Sequence, residues 1–503
     1  MIDAVLASFF SKEKVMLPAS NRIVAVNAAP VDPSGKFVLY WMTAFRRTHW
    51  NYALQRAHDW AARLGRPLVV LEALRLDHPW AGPRFHSFVA DGLADQYENL
   101  SGRPGIFYYP FLEPRPGAGK GLVPALADLA AVVVTDDFPC FFLPRMVEAA
   151  GRRLRVRLEK VDSNGLLPLS AGDRAFPTAH GFRRFLQKKW SAGFEEFPRA
   201  DPLDGPALPN WNGLPTEILD RWPPTDPKIP RHPGLFLDGA AFGTGVPAAG
   251  LKGGEKAAVK RLEHFLQHKL DKYDQDRNHP DDGAASGLSP YLHFGHLSAH
   301  QVFSRLALRE GWFPEKTGSP ARGARSGWWN MSGPAESFLD QFIVWRELGF
   351  NQCRWNPGYD RYESLPAWAR NTLELHASDP RAFTYTLDEF EEARTHDPVW
   401  NAAQRELVRT GIMNNYLRML WGKKILEWTP HPIAALEIMI ELNNKYALDG
   451  RDPNSYTGIF WVLGRHDRAF GPERPILGKI RYMSSANTVK KLHLKNYLRD
   501  YAE

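Results

Sequence analysis

Apolar positions in the first third of the chain fall in short β-rich runs, Phe37–Met42, Pro67–Leu74, Gly105–Leu112 and Ala131–Thr135. Between them lie stretches patterned at helical spacing, His49–Leu64, Phe88–Leu100 and Leu143–Arg153. Strand and helix alternating at this pitch predict βαβ units and a parallel, Rossmann-like sheet. Such a sheet holds ligands beyond the carboxyl ends of its strands, at a switch point. No G-x-G-x-x-G follows the first strand, so the ordinary dinucleotide fingerprint is absent. Residues 1–35 are weakly patterned and read as an N-terminal arm, leaving 36–194 as the α/β domain. Residues 195–234 are crowded with Pro and Gly, which break both regular structures, and 195–250 reads as a long connector. Beyond it the spacing is helical: Ala257–Leu270, His300–Arg309, Glu336–Gly349, Asn401–Trp428 and Ile433–Asn444. The expected architecture is an α/β domain, a connector, and an all-α domain over 251–503.

Composition narrows this picture. The 503 residues are 44% hydrophobic and 24% charged, enough for two or three cores. Net charge is +7, and the excess is uneven: from Arg465 to Glu503 nine Lys/Arg face four Asp/Glu. A polyanionic partner fits that balance, as does a merely solvated basic face. Only Cys140 and Cys353 occur, which argues against a disulfide framework and excludes a cluster held by four thiolates. There is no run of 18 apolar residues, and the protein is expected to be soluble, cytoplasmic and free of membrane contact. The 17 Trp are unusual. Each indole N–H needs a partner and each ring a shaped cavity, so some invite a role in stacking or redox chemistry.

Local chemistry concentrates in three blocks. In Lys269–Phe303, Leu288-Ser289-Pro290 reads as a helix start with Ser289 at the cap and Pro290 first in the helix. Free N–H groups there suit an anion, although taken locally a well-capped helix is the better explanation. In Thr395–Trp428, Trp421 and Trp428 are seven apart and share a helix face about 10 Å apart along the axis. Trp400 lies just before that run. Arg418 and Asp449 flank the region; as a surface pair they would be worth little. Asn443, in the third block, would pass for a helix-end cap.

The ordered set resembles the photolyase and cryptochrome superfamily, and the class II DNA photolyases above all. L-S-P-Y-L-H-F-G after Y-D-x-D-R-N looks like the family's flavin-pyrophosphate segment, and the blocks THDPVWNAAQRELVRTGIMNNYLRMLWGKKILEW and LDGRDPNSYTGIFWVLGRHDRAFGPERPILGKIRYM follow in family order over roughly 265–483. FVLYWM resembles the opening strand. The resemblance implies that the all-α domain binds FAD. Tyr273, Leu288 and Ser289 would meet the diphosphate, and Arg418, Asp449 and Asp467 would belong to the flavin site. Asn443 would face flavin N5. Trp400 and Trp421 would form the photoreduction path, with Trp428 a further member. Trp345 and Trp461 would wall a flipped lesion. Arg451, Lys479, Arg481, Lys490 and Lys491 would contact DNA phosphates without reading sequence. A deazaflavin-type antenna would sit in the first domain.

Two positions depart from the pattern. The family's dimer-binding Glu is Gln341 here, four residues before Trp345. An amide can hydrogen-bond a thymine carbonyl but cannot transfer a proton. Asp340 would project about 100° away on a regular helix. The Met-His of class II members is Met413-Asn414, which removes a group that titrates near neutrality. The expected activity is blue-light, FAD-dependent repair of cyclobutane pyrimidine dimers, by a monomer with no protein partner implied. The rival is a cryptochrome-like photoreceptor, which both departures favour and the lack of a long tail beyond the motifs disfavours. A light-independent nucleic-acid binder would leave the relay Trp residues without a use.

Overall fold

Ile23–Ala25 (β1), Phe37–Met42 (β2), Leu68–Leu74 (β3), Ile106–Leu112 (β4), Ala130–Asp136 (β5) and Leu158–Val161 (β6) form one sheet in the order β1-β6-β5-β2-β3-β4. The computed structural model describes residues 20–191, 197–226 and 244–502. Arm residues 1–19 and connector residues 195–196 and 227–243 lie outside the described residues. Strands β2 to β6 run parallel, and β1 joins β6 antiparallel with Ile23 opposite Val161. Every residue of β2 and β5 is buried, as expected of strands covered on both faces.

Two strands escaped the sequence pattern. β1 has three residues, too few for a period, and lies inside the stretch expected as an arm. β6 reads LEKV, and its polar centre hides its burial. Glu159 is nonetheless buried, because Arg56, Arg157 and the Trp60 indole all donate to its carboxylate at 2.7–2.9 Å.

The strand order reverses between β2 and β5. There Asp136 accepts the backbone N–H groups of Thr43, Ala44 and Phe45 at 2.7–2.9 Å and the Tyr40 hydroxyl at 2.8 Å. The loop after β2 is thus tied to the end of β5. Described connector residues pack on the same sheet: Trp211 stacks on Phe107 at 5.3 Å, and the buried Trp222 donates its indole N–H to Ala118 O at 3.0 Å. Among the described residues this compact unit comprises 20–171, 197–226, 244–262 and 288–311.

The second unit comprises 172–191, 263–287 and 312–502, and it is helical. Two expected helices are broken. Asn401–Trp428 is two helices, Pro398–Thr410 and Asn415–Glu427, because Gly411 takes a left-handed φ of 71° that ends the first. Glu336–Gly349 is three pieces: α-helix Gly333–Leu339, a π-turn Asp340–Trp345, and α-helix Arg346–Trp355. Close approach needs glycine at two points. A Cβ on Gly349 would stand 2.7 Å from Pro453 O and 2.8 Å from Asn454 Cα, and one on Gly422 would stand 2.6 Å from Val462 Cγ2. These contacts bring the helix after Trp345, the helix of Trp421 and helix Pro453–Val462 together.

Candidate functional site

Asp397 caps helix Pro398–Thr410, accepting Val399 N–H at 2.9 Å and Trp400 N–H at 3.1 Å, and so fixes Trp400 in the first turn. Trp400 is wholly buried and donates its indole N–H to Trp421 O at 3.0 Å. The Trp400 and Trp421 rings are parallel within 4°, with centroids 6.5 Å apart. On its other side Trp400 meets Trp428 at 6.2 Å and 66°. The three indoles therefore form a file with Trp400 in the middle. Beyond Trp428 come the rings of His396 at 4.9 Å and Tyr385 at 5.7 Å. His396 is exposed, whereas Trp428 is 3% exposed.

Arg418 lies on helix Asn415–Glu427 and donates to Asp449 at 3.0 Å; the two side chains keep 16% and 17% exposure, so the pair is partly accessible to solvent. Asn443, on helix Pro432–Tyr446, is buried and donates its amide N–H groups to Ser455 Oγ at 2.7 Å and Asn444 Oδ1 at 3.3 Å. Its side-chain oxygen is the atom left to offer a ligand. Tyr273 opens a short helix with its ring edge-on to Phe265 and Phe338, and burial pushes its hydroxyl up to about 12.

Within the π-turn only Gln341 and Trp345 keep appreciable exposure; the four residues flanking or between them are buried. π-turns inside α-helices occur often at functional sites. Asp340 is committed elsewhere, bonded by Arg183 at 2.7 Å with Arg325 at 3.6 Å. Trp461 is half-buried, with Lys423 Nζ 5.2 Å and Arg481 Cζ 5.5 Å from its ring. Asp467 accepts Arg481 Nε at 3.2 Å, so its carboxylate serves that arginine.

A deoxyribodipyrimidine photo-lyase of Methanothermobacter thermautotrophicus is 35% identical over 484 residues, covering 95% of this chain and 97% of that relative. The chain belongs to the DNA photolyase family. The deoxyribodipyrimidine photo-lyase of Arabidopsis thaliana is 34% identical over 480 residues, 93% of this chain and 89% of its own length. A bacterial class III photolyase from Agrobacterium tumefaciens shares the fold, with a TM-score of 0.59 at 18% identity over 93% of this chain and 86% of that one. No family model matches. Like its photolyase relatives, this chain is an enzyme of the lyase class.

Other photolyase-motif positions fall as follows. Asn414 is the N-cap of its helix: its oxygen accepts Tyr416 N–H at 3.0 Å, and its nitrogen donates to Arg277 O at 3.3 Å. Ser289 is the first residue of helix Ser289–His293, not its cap; Leu288 holds the cap position and is buried, while Ser289 is exposed. Both belong to the α/β unit. Lys479, Arg481, Lys490 and Lys491 are exposed or half-exposed, Lys479 lying 3.1 Å from Glu473 and Lys491 over the Tyr416 ring at 5.0 Å. Arg451 corrects the expectation of a phosphate contact: it is 4% exposed, and its guanidinium donates to Asn444 O at 2.7 Å. Burial leaves it no surface for DNA, and it braces the turn after Asn443 instead.

Three residues near the site had no part in the sequence reading. Gln404 is fully buried and accepts the Trp421 indole N–H at 2.9 Å; it stands one turn after Trp400 on the same face, which was the available signal. Lys423 is buried, donates to Val462 O at 2.5 Å, and is lowered to about 7 by desolvation. Glu406 accepts the Tyr497 hydroxyl at 2.8 Å, and burial raises it to about 7. Nothing in their spacing marks the last two.

Among the described residues no helix is long and apolar enough to cross a membrane.

Proposed function

We propose that this chain is a light-driven, FAD-dependent enzyme that splits cyclobutane pyrimidine dimers in DNA. The observation that carries the reading is the file of three buried indoles joined through Trp400, which ordinary packing does not require. When bound and reduced, FAD supplies, on absorbing blue light, the electron that opens the dimer. The residues fit such a group. Arg418 and Asp449 form a partly accessible charged pair, and the Asn443 oxygen remains to accept a hydrogen bond at the flavin edge. Within the helical unit Tyr273 would meet the diphosphate, and Asp467 would act through the Arg481 it binds.

Gln341, Trp345 and Trp461 are the partly exposed groups left for a flipped lesion, Gln341 as hydrogen-bond donor and the two indoles as apolar walls. Unstacking costs less at a damaged step, and Lys479, Arg481, Lys490 and Lys491 would neutralise phosphates without reading sequence. The enzyme would act as a monomer in the cytoplasm, with a deazaflavin-type antenna in the α/β unit.

Blue-light repair of a dimer-containing oligonucleotide by the reduced protein tests the proposal. Turnover no better than in the dark overturns it. Dark binding that prefers the lesion separates repair from a cryptochrome-like photoreceptor, which needs no such preference.

A further inference from the structure

We propose that the Lys423 ammonium makes the lesion-facing indole, Trp461, harder to oxidise than Trp421, so that electrons reach the flavin from the file and not from the substrate wall. The inference rests on the flavin reading above and adds what keeps the two indoles in different roles.

Trp421 and Lys423 flank Gly422, where helix Asn415–Glu427 meets helix Pro453–Val462. Lys423 crosses that contact to donate to Val462 O at 2.5 Å. Its nitrogen then lies over the Trp461 ring, 5.2 Å from the centroid. A second cation, Arg481, stands over the same ring at 5.5 Å, with part of its charge offset by Asp467 at 3.2 Å. Lys423 is 1% exposed and, among the described residues, has no carboxylate at ion-pair distance. Its charge therefore acts on Trp461 with little screening from water or a counterion. Asp467 and Arg481 are the charged groups that act on Lys423, the first holding its proton and the second loosening it.

The file is treated differently. Among the described residues no cation lies over the Trp400 or Trp421 ring. Lys424 lies over Trp428 at 5.4 Å, but Glu427 takes that ammonium at 2.6 Å and cancels most of its field. Positive charge attracts the π electrons of an indole and repels the cation radical left when one is removed. Oxidation thus costs more at Trp461 than at Trp421. The step moves one electron and no atoms: an indole becomes its cation radical, and the photoexcited oxidised flavin is reduced by one electron. Trp421 can refill from Trp400, stacked on it, whereas no aromatic ring touches Trp461 among the described residues. An electron taken from Trp461 would have no onward source.

The test uses the flavin-free chain and dissolved lumiflavin, a neutral one-electron oxidant when illuminated, under argon with a nitrone spin trap. Peptide mass spectrometry reads trap on Trp461 relative to Trp211, a half-buried indole with no cation over its ring among the described residues. Burial lowers Lys423 to about 7, so it is protonated at about pH 6. There Lys423→Met should raise the ratio about threefold, and Lys423→Arg, which keeps the charge, should not. At about pH 8.5 the wild-type ratio should climb to the Lys423→Met value, because the lysine has lost its proton. Equal ratios in wild type and Lys423→Met at the lower pH overturn the inference. So does a wild-type ratio that stays flat across the titration, which needs no substitution to fold. In the flavin-loaded protein, light-driven flavin reduction should slow in Lys423→Met, and an unchanged rate overturns the routing. A chain that takes up no flavin removes the functional reading, while the lumiflavin ratio still decides the charge on Trp461.

Discussion

The Trp421 indole N–H points into the Gln404 side-chain oxygen at 2.9 Å, and the Gln404 nitrogen in turn donates to Glu391 O at 3.2 Å. A buried amide thus anchors the innermost indole of the file to the backbone near the end of helix Leu387–Glu391.

Replacing that amide by an apolar side chain of similar length leaves one buried donor and one buried carbonyl without partners. Gln404→Met is expected to cost roughly 1–3 kcal/mol, the usual penalty for an unmade buried hydrogen bond. Urea unfolding checks it. Light-driven flavin reduction should slow in the same variant, because the Trp421 ring is no longer held parallel to Trp400.

Gln341→Glu restores the family's carboxyl group on the exposed face of the π-turn. Repair yield per absorbed photon should rise, since a carboxylic acid can donate a proton that an amide cannot. An unchanged yield with the lesion bound means the amide does not limit the reaction.

Glu406 gives a pH dependence with a definite sign. Burial raises its carboxyl from an ordinary value near 4.5 to about 7, so the folded state holds this proton more tightly than the unfolded chain. Its contribution is fully present below pH 4.5 and is lost as pH rises through 7. Glu406→Gln removes that loss. The variant should gain stability relative to wild type between pH 5 and pH 8 by on the order of 2–3 kcal/mol, read from urea unfolding at both values. A constant difference would show that the carboxyl titrates alike in both states.

Gly349→Ala should destabilise the helical unit. The added methyl would meet backbone atoms at 2.7 and 2.8 Å. Overpacking of this kind costs roughly 1–3 kcal/mol, more than the ~1 kcal/mol that Ala gains over Gly in a helix interior. A denaturation midpoint equal to or above that of wild type would contradict it.

Much of the fold was legible because its strongest signals are local. The apolar runs of β2, β3, β4 and β5 stand within one residue of where the sequence sets them. β6 was invisible because Glu159 is buried by partners far along the chain, Arg56 and Trp60, that no window contains. The broken helices were missed for two different reasons. Gly411 could be read as a terminator, but the π-turn at Asp340–Trp345 has no residue signature and follows from how its neighbours pack. At the site, the spacing of Trp421 and Trp428 suggested a shared face, whereas their connection through Trp400 depends on two helices meeting across Gly411. Arg451 was misplaced because a basic residue in a basic segment looks like surface until its burial is known.

The π-turn carries a consequence for inheritance. On a regular α-helix the residue four places after Gln341 overshoots one full revolution by about 40°, and the wider coil absorbs much of that excess before Trp345. A single-codon deletion between them would swing the indole to a different azimuth and shift the buried residues Phe342, Ile343 and Val344 with it. Lineages keeping this spacing therefore conserve a count of residues as well as their identities.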